Sequence, residues 1–204
     1  DFRQDLAAYL SGHLGAGLTR GDLAPWCALF LAHHRGVEAS RLNAANAEAR
    51  LAKLRFPARA CAFVTATVRD VWRFPALPDR PSLDDADSRR ALYRYFQVTA
   101  DAGVMTALLS LAKTLVNTAE PLSMEAWHAH LLRLRAVLIA YFRRRDEIVD
   151  PAPLLTGTDL LQIGFPQGPE LGEALASLRE AQAAGEVQTE AEARAWISFT
   201  SPRR

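Results

Sequence analysis

Apolar residues recur at three- and four-residue steps through most of the chain, which is the spacing of amphipathic helices. From Met124 to Glu147 the stripe Trp127, Leu131, Leu134, Leu138, Tyr141 and Phe142 predicts one long helix, with Ser123 placed to cap its start. Shorter stripes run through Leu6, Tyr9, Leu10 and Leu14, through Trp26, Phe30 and Leu31, through Ala47, Leu51 and Leu54, and through Val64, Val68, Val71 and Trp72. Another joins Val104, Leu108, Leu111 and Leu115 behind a cap at Asp101. Pro169 leads a helix through Leu171, Leu175 and Leu178 that Gly185 stops in a left-handed position, and Thr189 to Glu192 forms a capping box for a last helix with Ala193, Trp196 and Ile197. No run alternates with period two, and no Asn-Gly or Asp-Gly turn joins two apolar segments. The predicted fold is all-α, an irregular helical bundle with a small helical tail module.

Punctuation divides this pattern. Phe74 to Pro81 holds three prolines and predicts a long loop, while Asp150 to Thr158 predicts a second break and a module boundary. The expected organisation is an N-terminal helical segment over 1–54, a helical body over 55–150 and a tail over 151–204. A chain of 204 residues, 50% hydrophobic and 23% charged, has the material for a sizeable core, which excludes disorder, collagen and a disulfide scaffold. Cys27 and Cys61 sit in apolar runs, as buried free thiols in a reducing compartment would, and form no metal-type pair. The expected location is the cytoplasm, because no uninterrupted apolar stretch approaches the ~18 residues of a bilayer span and no signal peptide opens the chain. The sequence starts at Asp1 rather than Met, as a trimmed piece of a longer polypeptide would.

Charge narrows the functional classes. Lys plus Arg number 24 against 23 Asp plus Glu, a net charge of +1, far from the strongly basic balance of a free-standing nucleic-acid binder. Only Lys53 and Lys113 are lysines, so the arginine excess reflects a GC-rich genome before it reflects phosphate binding. Position must therefore decide. Arg133 and Arg144 lie eleven residues apart, about three helical turns, and share a face that Arg135, Arg143 and Arg145 broaden into a row able to track phosphates. The alternative is a solvated face with Arg145 and Asp146 partly cancelling.

The histidines are weaker candidates. Ala32-His33-His34-Arg35-Gly36 follows an apolar run as the His-Asp pair of HD-superfamily phosphohydrolases does, but His34 replaces the aspartate and Asn43 and Asn46 stand where further ligands are needed. The 1–54 stretch is thus read as a degenerate HD-like segment without metal, His33 and His34 being helix-end residues and a three-imidazole site with His13 a minor alternative. His128 and His130, two apart on one helix, point about 200° apart and cannot share a ligand. Asp84, Asp85 and Asp87 are expected as helix-start carboxylates. There is no Gly-rich phosphate loop, no G-x-S-x-G and no strand bearing D-x-D, so no catalytic residue is assigned.

The segment Pro153 to Ile197 carries a further signal. Gly157, Asp159, Leu160, Gly164, Gly168, Pro169, Gly172, Leu175, Gln182, Gly185 and Ala193 are spaced so that this segment resembles the C-terminal tail of bacterial tRNA nucleotidyltransferases, the CCA-adding and poly(A) polymerase family. Leu54-Arg55-Phe56 and Ser88 to Arg94 resemble the family's body more weakly. Physically, Gly157 and Thr158 are expected to turn the chain into a short helix capped at Asp159, Gly164 to end it, Gly168-Pro169 to start the next, and Gly172 to permit close packing. Glu170 and Glu173 in that next first turn would repel a phosphate, which favours a structural role for Gly168 and Pro169.

The resemblance implies a region that holds tRNA or another structured RNA by shape and backbone while a catalytic head, in cis or in trans, adds nucleotides to its 3′ end. The head's phosphate-binding turn, its Asp-x-Asp and the templating Glu-Asp-x-x-Arg motif are not found in this chain, which is expected to be inactive alone. No cofactor is expected in it, Mg2+ and ATP or CTP belonging to the head. The expected RNA contacts are Arg133, Arg143, Arg144 and Arg145, followed by Arg55 and Arg59. Two other functions are carried: a protein-interaction or homodimerisation module using the long helix and the Pro-rich loop, and an HD-type phosphohydrolase with metal at His33 or His34.

Overall fold

On α2 (Arg20–Leu31) the residues Leu23, Cys27 and Leu31 recur every four positions, and all three are buried. They meet Ala44, Ala47 and Leu51 of α3 (Val37–Lys53) and Ala60, Phe63, Val64 and Val68 of α4 (Ala58–Asp70) in a first core cluster. The computed structural model describes residues 1–31, 37–116 and 123–200. Burying each Leu or Phe of this kind contributes about 1.5–3 kcal/mol, so the helical stripes are also the main source of stability. The cluster extends to Tyr9 of α1 (Arg3–Leu10) and to Val104 and Met105 of α6 (Gly103–Val116). Tyr9 locks this junction, donating its hydroxyl to the Asp101 carbonyl at 2.7 Å and accepting from the Met105 N–H at 3.3 Å. Residues 1–54 therefore share one core with α4 and α6 rather than packing by themselves.

A second cluster joins Leu92, Tyr95 and Phe96 of α5 (Ala86–Thr99) to Ala136, Val137 and Ala140 of α7 (Met124–Phe142), and takes in Phe74 and Leu77 from the Pro-rich loop. A third belongs to the tail, where Leu160 of α8 (Gly157–Gln162), Leu178 and Ala181 of α9 (Pro169–Ala184), and Ala193 and Ile197 of α10 (Glu190–Thr200) pack together. The helix ends predicted within it are found: Pro169 opens α9, Gly185 closes it at φ +81°, and Thr189 and Glu192 exchange hydrogen bonds at 3.2 Å. The tail is fastened to the body through α5. Arg90 reaches Glu186 at 2.6 Å, Arg94 reaches Glu180 at 2.6 Å, and the Arg89 Nε donates to the Ala183 carbonyl at 2.8 Å.

The fold is all-α, and three local expectations are corrected. Leu14 belongs not to α1 but to a small antiparallel hairpin of β1 (His13–Gly15) and β2 (Leu18–Thr19). Gly15, Ala16 and Gly17 all take positive φ, which a helix cannot accommodate, so Gly-Ala-Gly was the turn signal here. Asp101 does not cap α6. It lies inside a 3-10 turn over Ala100–Ala102 and faces Arg20 at 3.8 Å. The stripe from Met124 does not reach Glu147 as one helix, because α7 ends at Phe142 and a single π-type turn over Arg145–Val149 follows. That turn delivers Ile148 and Val149 into the second cluster. Joined across the 3-10 turn, 86–116 is long and apolar enough by composition to cross a bilayer, but Leu92, Phe96, Val104, Met105 and Ala107 from it line the cores.

Cys27 is fully buried, and burial pushes its thiol up to about 12, whereas Cys61 is only half-buried. At Gly103, which accepts from the Tyr95 hydroxyl at 2.6 Å, an added Cβ would stand 2.7 Å from Thr99 Oγ1 and 2.8 Å from Phe96 Cε1. Gly103→Ala is expected to destabilise the fold by about 1–3 kcal/mol through overpacking, seen as a lower urea midpoint with unchanged slope.

Candidate nucleic-acid interface

The predicted arginine row does not form one solvated face. Arg133 is 8% exposed, with its Nε donating to the Leu77 carbonyl at 2.9 Å and its Nη2 paired with Asp79. It ties α7 to the Pro-rich loop, and the expectation that it contacts phosphate is withdrawn. Because α7 ends at Phe142, Arg143 and its neighbours leave the helical register that would have aligned them. Arg143 binds Asp5 of α1 at 2.5 and 3.0 Å, and this guanidinium holds the Asp5 carboxyl below its usual range. Arg144 donates to Glu147 at 2.7 Å and to the Leu83 carbonyl at 3.0 Å. Arg145 lies over the Tyr141 ring at 4.8 Å and stands 4.0 Å from Asp101.

Cations without internal partners gather at the corner between α3 and α4. Arg50, Lys53, Arg55 and Arg59 are all exposed, and among the described residues none makes an ion pair. Arg50 and Lys53 stand in the last turn of α3, where the helix dipole favours positive charge. Arg59 stands in the first turn of α4, which holds no acidic residue. Arg55 adopts φ +59°, the left-handed position that closes α3, while Phe56 N–H returns to the Leu51 carbonyl at 3.1 Å. Glycine fills such positions at lower conformational cost, so an arginine with no internal contact is kept here against the local backbone preference.

Beside this corner a groove of about 620 Å³ opens between α2 and α3, lined by Trp26, Leu29 and Phe30 on one side and by Asn43, Asn46, Arg50 and Lys53, with Leu54 beyond them, on the other. The four α3 residues follow i, i+3, i+7, i+10 spacing and so form one stripe. Of these site residues, sequence reasoning found Arg55 and Arg59 and missed Arg50, Lys53 and Trp26. The spacing was readable, but only the folded chain shows that the stripe meets aromatic rings and, among the described residues, no carboxylate.

The tail motif residues build the tail. Thr156, rather than Asp159, is the N-cap of α8, and Asp159 completes a capping box by accepting from the Thr156 N–H and hydroxyl at 2.7 Å each. Those bonds hold the Asp159 carboxyl below its usual range. Leu160 is buried, Gly164 ends α8 at φ +90°, and Gly168 precedes Pro169 at the start of α9. Gly157 lies against Leu171, but a Cβ at Gly172 would meet nothing within 4 Å, so Gly172 does not serve close packing as expected. Gln182 spans the break before α8 by donating to the Ala152 carbonyl at 3.0 Å.

His33 and His34 lie outside the described residues. His13 and His128 are exposed, and His130 stacks on Phe74, its pKa lowered by burial and by Arg133. Among the described residues no three His, Cys, Asp or Glu side chains are grouped to hold a metal ion. Asp85 caps α5 by accepting from the Ser88 N–H at 2.8 Å, as a helix-start carboxylate.

Residues 39–196, from α3 through α10, match the family described as "tRNA nucleotidyltransferase domain 2 putative". The chain belongs to this family. It is similar to the A-adding tRNA nucleotidyltransferase of Deinococcus radiodurans, with 37% identity over 117 residues, 56% of this chain and 25% of that protein. It is also similar to the CC-adding tRNA nucleotidyltransferases of Thermus thermophilus, 32% identical over 78% of this chain and 32% of that protein, and of Geobacter sulfurreducens, 30% identical over 80% and 31%. The chain thus spans between a quarter and a third of the length of these curated relatives. No solved structure matches it. In this member of the tRNA nucleotidyltransferase domain 2 family, the tail motif, the α5–α9 contact and the basic corner all fall inside the matched residues.

Two substitutions separate structural from surface arginines. Arg133→Met is expected to cost about 1–3 kcal/mol by stranding the Leu77 carbonyl, read as a lowered midpoint in chemical unfolding. Arg55→Gly should do the opposite, raising stability by up to about 1 kcal/mol in the same measurement, because glycine relieves the left-handed backbone.

Proposed function

We propose that this chain is the RNA-holding helical region of a tRNA nucleotidyltransferase, presenting tRNA to a catalytic head that it does not itself contain. Family membership supports the association with tRNA nucleotidyltransferases. The observation that carries the rest is the corner of Arg50, Lys53, Arg55 and Arg59, four cations with no internal partner in a chain whose other arginines are largely engaged. Guanidiniums and an ammonium spread over two helix ends suit the phosphates of a folded RNA, which they contact without reading sequence. Arg143 and Arg145, half-exposed beside α1 and Tyr141, are placed as secondary contacts. The nucleotide and Mg2+ of the addition reaction are assigned to the head, as is the chemistry.

The test is fluorescence anisotropy of labelled tRNA with the 204-residue chain across a salt series. Combined Arg50→Glu, Arg55→Glu and Arg59→Glu substitution is expected to weaken binding at least about tenfold and to flatten the salt dependence by roughly two to three charges. Absence of tRNA binding by the unsubstituted chain at low salt, or an unchanged salt slope in the triple variant, overturns the proposal.

A further inference from the structure

The groove between α2 and α3 has a chemistry that phosphate contact alone does not explain. Its floor holds Asn43, which is 7% exposed yet has no side-chain hydrogen-bond partner among the described residues. With no internal partner, this amide opens to the groove, where its carbonyl and NH2 are available to a polar ligand. One turn along α3, Asn46 adds a second unpartnered amide, and Arg50 and Lys53 follow at the mouth. The opposite wall is apolar and mainly aromatic: Trp26, half-buried and braced edge-on by Phe56 at 5.1 Å between ring centroids, with Phe30 and Leu29 beside it. Among the described residues no Asp or Glu lines the groove.

Ring faces, carboxamides and cations in that order match the parts of one nucleotide. Each base has a π-face that stacks on Trp, an edge of donors and acceptors that an Asn side chain can meet with both its carbonyl and its NH2, and a phosphate. We infer that this groove binds an unpaired nucleotide of single-stranded RNA, its base between Trp26 and the Asn43–Asn46 amides and its phosphate on Arg50 and Lys53. Base-paired RNA is excluded, because a base inside a duplex presents neither face. The inference rests on the proposed RNA-holding role and refines it: the corner cations hold phosphates of any RNA, and the groove selects for an unstacked base.

The experiment measures affinity of the full chain for tRNA, for a blunt RNA duplex, for a single-stranded RNA hexamer, and for the same hexamer with abasic central positions. The unsubstituted chain is expected to prefer the intact over the abasic hexamer by about tenfold, as loss of base–aromatic stacking requires. Trp26→Leu should abolish that preference while leaving duplex affinity unchanged. Because Trp26 also packs on Phe56, Asn46→Asp at an exposed position is the second variant, and it should weaken both hexamers by placing a carboxylate beside the phosphate cations. Equal binding of intact and abasic hexamers, or no effect of Asn46→Asp, overturns the groove assignment even if tRNA is bound. Failure to bind tRNA and duplex alike overturns the RNA-holding role and the groove with it. If Asn46→Asp instead alters self-association in sedimentation velocity without changing RNA affinity, the face belongs to a second copy of the chain and the inference falls.

Discussion

A guanidinium does not shed its charge on burial, so every arginine folded into a helical bundle must bring an acceptor with it. This constraint organises the molecule. Arg133 is admitted to the interior only because the Leu77 carbonyl and Asp79 meet it, which in turn fixes the Pro-rich loop against α7. Asp70, with a side chain 2% exposed, is held at 2.7 Å by Arg69 and 3.0 Å by Arg73 at the end of α4. On α5, Arg89 meets the carbonyl end of α9, and Arg90 and Arg94 share Glu180. The tail therefore docks through the same accounting that keeps the body closed, and what is left over defines the surface.

What is left over is not spread evenly. Arg89, Arg90 and Arg94 are used to join body and tail, whereas Arg50, Lys53, Arg55 and Arg59 at the corner of α3 and α4 make no ion pair among the described residues. α3 turns Ala44, Ala47 and Leu51 into the first core, and the adjacent stripe of Asn43, Asn46, Arg50 and Lys53 meets aromatic rings instead of acids. Hydrophobic packing supplies the stability of α3 through one face, which frees the neighbouring face to hold polar groups without partners. The left-handed Arg55 beside this stripe is a small cost in backbone energy.

The sequence was most legible where structure is decided within four residues. Pro169, Gly185 and the Thr189–Glu192 box set the ends of α9 and α10 by local hydrogen bonding and backbone geometry, and the tail spacing that resembled tRNA nucleotidyltransferases reports those same ends. It was least legible where packing over long separations decides. Nothing between Phe142 and Val149 is a glycine or proline, yet α7 stops because Ile148 and Val149 are drawn into the core beside Phe74 and Leu92. The phosphate row inferred from Arg133 to Arg145 depended on that helix continuing, and it failed with it. Arg133 also sits where periodicity predicts solvent, and only the acceptors brought from 54 and 56 residues away make its burial possible.

Net charge bears on how such a region could work. At +1 the chain has little long-range field, and beyond the roughly 8–10 Å of ionic screening its paired arginines act as dipoles rather than charges. In the proposed role, electrostatic steering of RNA from solution would therefore be weak, and the corner and groove would act only at contact range. A contact-range surface is effective when something else brings the RNA close, because tethering raises the effective concentration of a second contact to the millimolar range without improving the contact itself. The matched relatives are three to four times the length that this chain covers, and in the proposed arrangement their remaining parts do the capturing. In the proposed arrangement, weak and geometrically specific contacts would have an advantage over a strongly basic surface, because a nucleotide held by stacking and a few phosphates would be released more readily than one in a dense cationic grip.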